Sequence, residues 1–247
     1  VASGTTGIAL DQEKWMKLLS FLILFGFSVV SPLHDEPETP QDPIEKQELP
    51  RVLIIGDSIS IGYTPFVKKA LRDQAIVIHN PGNAQHTGTG LKLIDQWLGD
   101  ESWDVIHFNW GLWDLCYRDP PGSRKQGKEK GKVTLSSEQY GINLEKLILR
   151  LKKTKARLIW ASTTRVPEGE KGRFVGDDIR YNRVAQKLMK KYKIPINDLH
   201  LFSSEFDPEL FRAPGDVHFK PEGRKELAKK VVEAIDKALS LTSSSGH

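Results

Sequence analysis

Residues 51–55, Arg-Val-Leu-Ile-Ile, form a short apolar run rich in β-branched side chains and stopped by Gly56. Such a run reads as a strand buried on both faces. Helical spacing follows over 61–73, where Phe66, Val67, Ala70 and Leu71 share one side. The alternation then repeats. Strand-like runs at 75–79, 104–109, 156–161 and 194–197 are separated by helical patterns at 90–98, 137–153 and 178–192, and a last helix is expected over 221–239. Pro221 suits its first turn, where a missing N–H costs nothing. Strands alternating with helices imply an α/β sandwich around a parallel sheet of about five strands. Ligands of such sheets bind at the carboxyl ends of the strands, so the residues just after each strand are the ones to inspect.

Two segments at the start of the chain break this pattern. Residues 18–30, LLSFLILFGFSVV, are thirteen mostly apolar residues preceded by Met16-Lys17 and followed by Ser31-Pro32. A bilayer span needs about 20 such residues. The run fits a secretory signal peptide over 1–31, with Met16 as the expected start. A secreted or periplasmic protein follows from that reading, with no stable membrane insertion after cleavage; an uncleaved N-terminal anchor is the alternative. An exported chain then begins between Val30 and Glu36, which N-terminal sequencing reads; retention of 1–30 would favour the anchor. Residues 32–50 hold five prolines and many acids, the composition of a linker. The globular domain is expected over 51–241, with a loose tail at 242–247.

Composition narrows the function. With 38% hydrophobic and 28% charged residues the chain suits a globular core. Its net charge of +4 is concentrated in residues 118–133, which carry six basic and two acidic side chains. Basicity confined to one loop argues against nucleic acid as a partner, which would need a basic face or stripe. This loop reads as a solvated insertion, with a grip on an acidic glycan or phospholipid surface as its functional alternative. The single cysteine, Cys116, excludes an intrachain disulfide and a multi-cysteine zinc site. A buried, inert thiol is expected there.

The strand ends carry the chemistry. Gly56-Asp57-Ser58-Ile59 follows the first strand and puts Ser58 at a helix start, where backbone N–H groups favour a developing oxyanion. A helix-capping serine is the structural alternative. A nucleophilic serine needs a base. His34 lies in the linker and His247 in the tail, while His79 and His107 fall within strands; His86 follows the second strand. His218 lies in a turn just before the last helix, with Asp216 two residues away to orient its ring.

Gly56-Asp57-Ser58-Ile59 near the start of an α/β domain, with Asp216-Val-His218 before its final helix, resembles the SGNH/GDSL hydrolase family. The likeness runs from Arg51 to Leu239. It implies a flavodoxin-like, three-layer α/β/α fold and ester hydrolysis by a Ser58-His218-Asp216 arrangement, with no metal or organic cofactor. It also implies an oxyanion hole from the serine N–H, a glycine N–H after the second strand and an asparagine after the third. The family's Gly-x-Asn-Asp block reads Gly111-Leu112-Trp113-Asp114 here, so Trp113 stands at the asparagine position. Asn109 and Asn83 are the candidate substitutes, Asn109 preferred. The glycine position falls on Gly82 or Gln85. The family spaces its last block Asp-x-x-His, and Asp216 takes the acid role on proximity.

The reading that results is a secreted serine esterase acting on ester groups, O-acetyl foremost, of a small-molecule or glycan substrate. Trp110 and Trp113 flank Gly111 at a strand end, where flat aromatic faces suit sugar rings. A lipid or thioester hydrolase is the enzymatic alternative, and a non-catalytic carbohydrate-binding module using Trp110 and Trp113 is the other. Gly122 to Lys128 resembles the start of a phosphate loop, but Glu129 replaces the hydroxyl residue and no strand precedes it. Arg165 or Arg173, in the polar loop after the fourth strand, would contact a substrate anion or pair with Glu168 or Asp177.

Overall fold

The computed structural model describes residues 48–243. The expected signal segment, most of the linker and the last four residues of the tail lie outside the described residues. The strands are β1 (Arg51–Ile55), β2 (Ile76–His79), β3 (Val105–Phe108), β4 (Tyr117–Arg118), β5 (Lys132–Val133), β6 (Arg157–Ala161) and β7 (Ile196–Asn197). The helices are α1 (Ser58–Ala70), α2 (Thr87–Leu98), α3 (Ser137–Lys152), α4 (Asp177–Tyr192), α5 (Leu199–Ser204) and α6 (Pro221–Ser243), with a 3-10 turn at Pro208–Leu210.

Five strands pair in parallel in the order β2-β1-β3-β6-β7. Val52 of β1 lies between Val77 of β2 and Val105 of β3. The chain runs outward from β1 to β2, crosses back to β3 and continues to β6 and β7. With right-handed crossovers this reversal puts α1 on one face and α2, α3 and α4 on the other. The packing agrees: α6 lies on α1, α2 on α3, and α3 on α4. The result is a three-layer α/β/α sandwich with flavodoxin-like strand order.

Burial explains the sequence pattern. Val52, Leu53, Ile54 and Ile55 are all buried because β1 is central and covered on both faces, which demands an unbroken apolar run. Among the described residues no helix is long and apolar enough to cross a membrane.

The basic segment is more ordered than a solvated loop. β4 and β5 form an antiparallel hairpin with Tyr117 opposite Val133. The Tyr117 N–H donates to the Gly172 carbonyl (2.7 Å) and the Lys128 N–H to that of Lys171 (3.1 Å), so the hairpin packs on the loop between β6 and α4. Arg173 in that loop pairs with Glu170, three residues back in the same loop and equally buried, and not with Glu168 or Asp177. Arg165 reaches the Ser204 carbonyl with Nη1 (3.1 Å).

Candidate active site

The chain leaves the adjacent strands β1 and β3 in opposite directions, and Ser58 stands just past the end of β1. Gly56 is needed there because a Cβ would sit 2.6 Å from Ser60 Oγ. The Gly56 N–H donates to Asn80 Oδ1 (2.9 Å), and the Gly56 carbonyl accepts from the Ala84 N–H (3.0 Å), which ties the β1 turn to the loop after β2. The N-cap of α1 is Asp57, whose Oδ1 accepts from the Ile59 N–H (2.9 Å). Ser58 is therefore the first residue of α1, and its hydroxyl is not used for capping.

That hydroxyl meets His218. Ser58 Oγ and His218 Nε2 are 2.9 Å apart, and His218 Nδ1 lies 2.7 Å from Asp216 Oδ1. The same Oδ1 accepts from the His218 backbone N–H (2.9 Å). An ionised Asp216 accepts from Nδ1–H, which leaves Nε2 as acceptor for the serine proton. Arg212 Nε donates to Asp216 Oδ2 (2.6 Å). Partial burial works against the Asp216 charge, but the donors from His218 and Arg212 outweigh it and hold the carboxyl below its ordinary value. The histidine turn is pinned by backbone bonds from the Arg212 N–H to the His218 carbonyl and from the Lys220 N–H to the Leu210 carbonyl, both 2.8 Å. Gly215 abuts the β6–α4 loop, where a Cβ would sit 2.6 Å from the Gly169 carbonyl oxygen. His218 is half-buried, with 29% of its side chain open to a ligand.

The other residues of interest are less uniform. Asn109 directly follows β3, and its Nδ2 donates to the Ala161 carbonyl (2.7 Å) and to Thr163 Oγ1 (3.4 Å). The carboxamide is spent on the end of β6, which corrects the preference for Asn109 as an oxyanion donor. Asn83 is half-exposed and its Oδ1 accepts from the Gln85 N–H (2.8 Å), which leaves its Nδ2 without a hydrogen bond among the described residues. Gly82 sits exposed at a left-handed turn, and Gln85 is left-handed as well (φ 50°). Gly111 is a close-approach glycine, since a Cβ there would collide with Thr163 Oγ1 at 2.0 Å. Trp110 is fully buried, stacked on Trp97 at 6.5 Å and packed under Gly90. It cannot serve as a sugar platform, because α2 and the core cover it. Trp113 is half-exposed, with the Arg118 guanidinium 4.7 Å from its ring centroid.

Two buried groups brace these loops. Asp114 Oδ1 accepts from the Thr87 N–H (2.9 Å) and the Thr87 hydroxyl (2.5 Å), which fixes the start of α2. Burial pushes the Asp114 carboxyl from an ordinary 3.8 up to about 7. The folded state then holds this proton more tightly than the unfolded chain, so the protein should lose stability as pH rises from 4 to 7. Asp114→Asn should flatten that slope, read as the urea midpoint at pH 5 and pH 8. An unchanged slope would assign the pH dependence to other groups. Arg173 is the second brace. It donates from Nη1 to Glu170 Oε1 (2.8 Å) and from Nε to the Leu112 carbonyl (2.7 Å), holding the turn before Trp113.

Sequence reasoning missed Arg212, although its i,i+4 spacing to Asp216 is a legible signal. It also missed the pair of His200 Nε2 and Asp178 Oδ2 (2.8 Å) at the α4 start. His79 is held by Ser60 Oγ (2.7 Å) and His107 by Asn197 Nδ2 (3.1 Å), both as sheet histidines. Among the described residues no group of three His, Cys, Asp or Glu side chains could hold a metal ion. A groove of about 760 Å³ lies at the β7 edge beside α6, away from Ser58. A void of about 10 Å³, enough for one water, lies beside the site and is lined by Ile59, Asn109, Leu112 and Thr164 among others.

No protein-family model matches the chain, and no curated protein matches it. Solved structures of hydrolases do share its shape. An acetyl xylan esterase, AlAXEase, matches with a TM-score of 0.61 at 18% identity, covering 75% of this chain and 99% of that one. A lipase/acylhydrolase from Enterococcus faecalis matches with 0.63 at 21% identity over 76% and 95% of the two chains. A GDSL-like lipase from Bacteroides thetaiotaomicron gives 0.57 at 16% identity over 76% and 88%. The chain therefore has the SGNH/GDSL hydrolase fold.

Proposed function

We propose that the protein is a serine esterase that removes O-acyl groups, acetyl foremost, from carbohydrate by way of an acyl-enzyme. The observation that carries this reading is the unbroken relay from Ser58 Oγ through His218 to Asp216, at 2.9 and 2.7 Å. His218 Nε2 takes the serine proton as Oγ attacks the ester carbonyl. Asp216 stays ionised and stabilises the imidazolium that forms. The proton then passes to the departing alcohol. Water attacks the acyl-enzyme with His218 again the base, and the carboxylate leaves. Likeness in fold to acetyl xylan esterases supports the choice of an acetyl group on a sugar. A purely carbohydrate-binding role is weaker, since Trp110 is buried and half of the expected platform is lost. Turnover of a chromogenic acetyl ester and acetate release from O-acetylated polysaccharides test the proposal. A wild-type protein inactive on both, or a Ser58→Ala variant equal to it, would reject it.

The oxyanion donors are the Ser58 N–H, at the positive end of α1, and the free Nδ2 of Asn83 on the facing loop. Asn83→Ala should lower kcat by about tenfold or more with little change in stability. Asn109→Ala should instead cost about 1 kcal/mol of stability, the worth of its bond to β6. If Trp113→Phe slows turnover and neither asparagine variant does, the indole N–H is the donor.

A further inference from the structure

We propose that Arg118, seated on Trp113 of the loop that follows β3, is an anion subsite for the carboxylate of an acidic sugar, which makes an O-acylated, hexuronate-containing glycan the preferred substrate. The inference rests on the esterase reading for the reaction and adds the class of alcohol.

Arg118 is only 5% exposed, yet it forms no ion pair among the described residues. Charged side chains are rarely buried unless paired. The neighbouring carboxylate, Glu170, is already committed to Arg173 and to the Gly172 N–H. One guanidinium nitrogen, Nη1, donates to the Arg124 carbonyl (2.8 Å), and the plane lies against Trp113. Nε and Nη2 make no hydrogen bond among the described residues. The stack and the carbonyl have already fixed the side chain, so an incoming anion meets a pre-organised fork. A planar carboxylate matches that fork through two parallel bonds.

Placement links the fork to the reaction. Trp113 follows Leu112, and Leu112 shares a void with Ile59, the residue after Ser58. On the loop after β2, His86 carries a buried Nδ1 with no partner. Burial lowers the His86 imidazole first, and the Lys92 and Arg118 cations lower it further. Around the fork, Arg124, Lys125, Lys130 and Lys132 are exposed on the hairpin and form no ion pair among the described residues. Their field draws an anionic polymer toward the site and weakens with salt.

The test compares kcat/KM for an O-acetylated hexuronate oligosaccharide with that for an O-acetylated neutral hexose oligosaccharide of equal length. The wild type should prefer the acidic ester by about tenfold or more, as expected for charge-assisted bonds, mainly through KM and less so at high salt. Arg118→Gln should reduce that ratio by about tenfold, and Arg118→Lys should restore only part of it, lacking the fork. Because Arg118→Gln could disturb the hairpin, binding of an unacetylated hexuronate trimer is also measured by calorimetry on Ser58→Ala and on Ser58→Ala/Arg118→Lys, the second expected to bind more weakly. Equal kcat/KM for the two esters in the wild type, or a preference for a sulfated ester over the hexuronate, would overturn the subsite while leaving the esterase standing. Trimer binding that weakens with Arg118→Lys in a protein that turns over no ester would do the reverse.

Discussion

Ser58→Ala and His218→Ala should each abolish nearly all ester turnover, a loss on the order of 10⁴–10⁶ in kcat, and the double variant should be no worse than either single one. The reason is in the relay. Without His218 the serine keeps its proton, and without Ser58 the imidazole has no nucleophile to serve. Each removal disables the same step, so the second costs nothing more. Steady-state kinetics on a chromogenic acetyl ester would read the three variants. Losses that multiply in the double variant would mean that the two side chains act independently, and that the 2.9 Å contact between them is not part of the reaction.

The second large effect is on stability. Arg173→Met should lower the unfolding free energy by about 3–5 kcal/mol, because it leaves the Glu170 carboxylate buried without its partner. Both side chains of the pair are only 4% exposed. Glu170→Leu/Arg173→Met should cost less than Arg173→Met alone, since no unpaired charge remains. Some loss persists, because Arg173 Nε also holds the Leu112 carbonyl and Glu170 Oε2 accepts from the Gly172 N–H. Ester turnover should fall in both variants as the turn carrying Trp113 loosens. Urea denaturation measures the effect, and a single variant within about 1 kcal/mol of wild type would show that water already screens the pair.

Buried strands were the most legible part of the fold. β1, β2, β3 and β6 begin and end within a residue of the apolar runs; the central β1 shows the unbroken apolar run that burial on both faces demands, while β2 at the sheet edge leaves Ile76 exposed. The starts of α3, α4 and α6 fall within a residue of the helical patterns, while the spacings from 61 and 90 begin three residues inside α1 and α2. α1 begins at Ser58 because Asp57 caps it, and α2 begins at Thr87 because Asp114, 27 residues later, accepts its first N–H. No local periodicity reports a cap supplied from so far along the chain. The β4–β5 hairpin was hidden for a similar reason: its strands are two residues each and polar, and they are fixed by backbone bonds to Gly172 and Lys171. In the site, Ser58, His218 and Asp216 could be read from spacing because each lies next to a strand end or a helix start. The directions of Asn109 and Trp110 could not. Both follow β3, and only the packed structure tells that one turns toward β6 and the other into the core.

The most direct measurement is where the acyl group goes. The protein is mixed with a chromogenic acetyl ester, quenched in acid during the first turnover, digested and mapped by mass spectrometry. A single acetyl adduct on the peptide containing Ser58, absent from Ser58→Ala, is the expected result. An adduct on another residue, or full turnover by Ser58→Ala, would contradict the assignment of Ser58 as nucleophile.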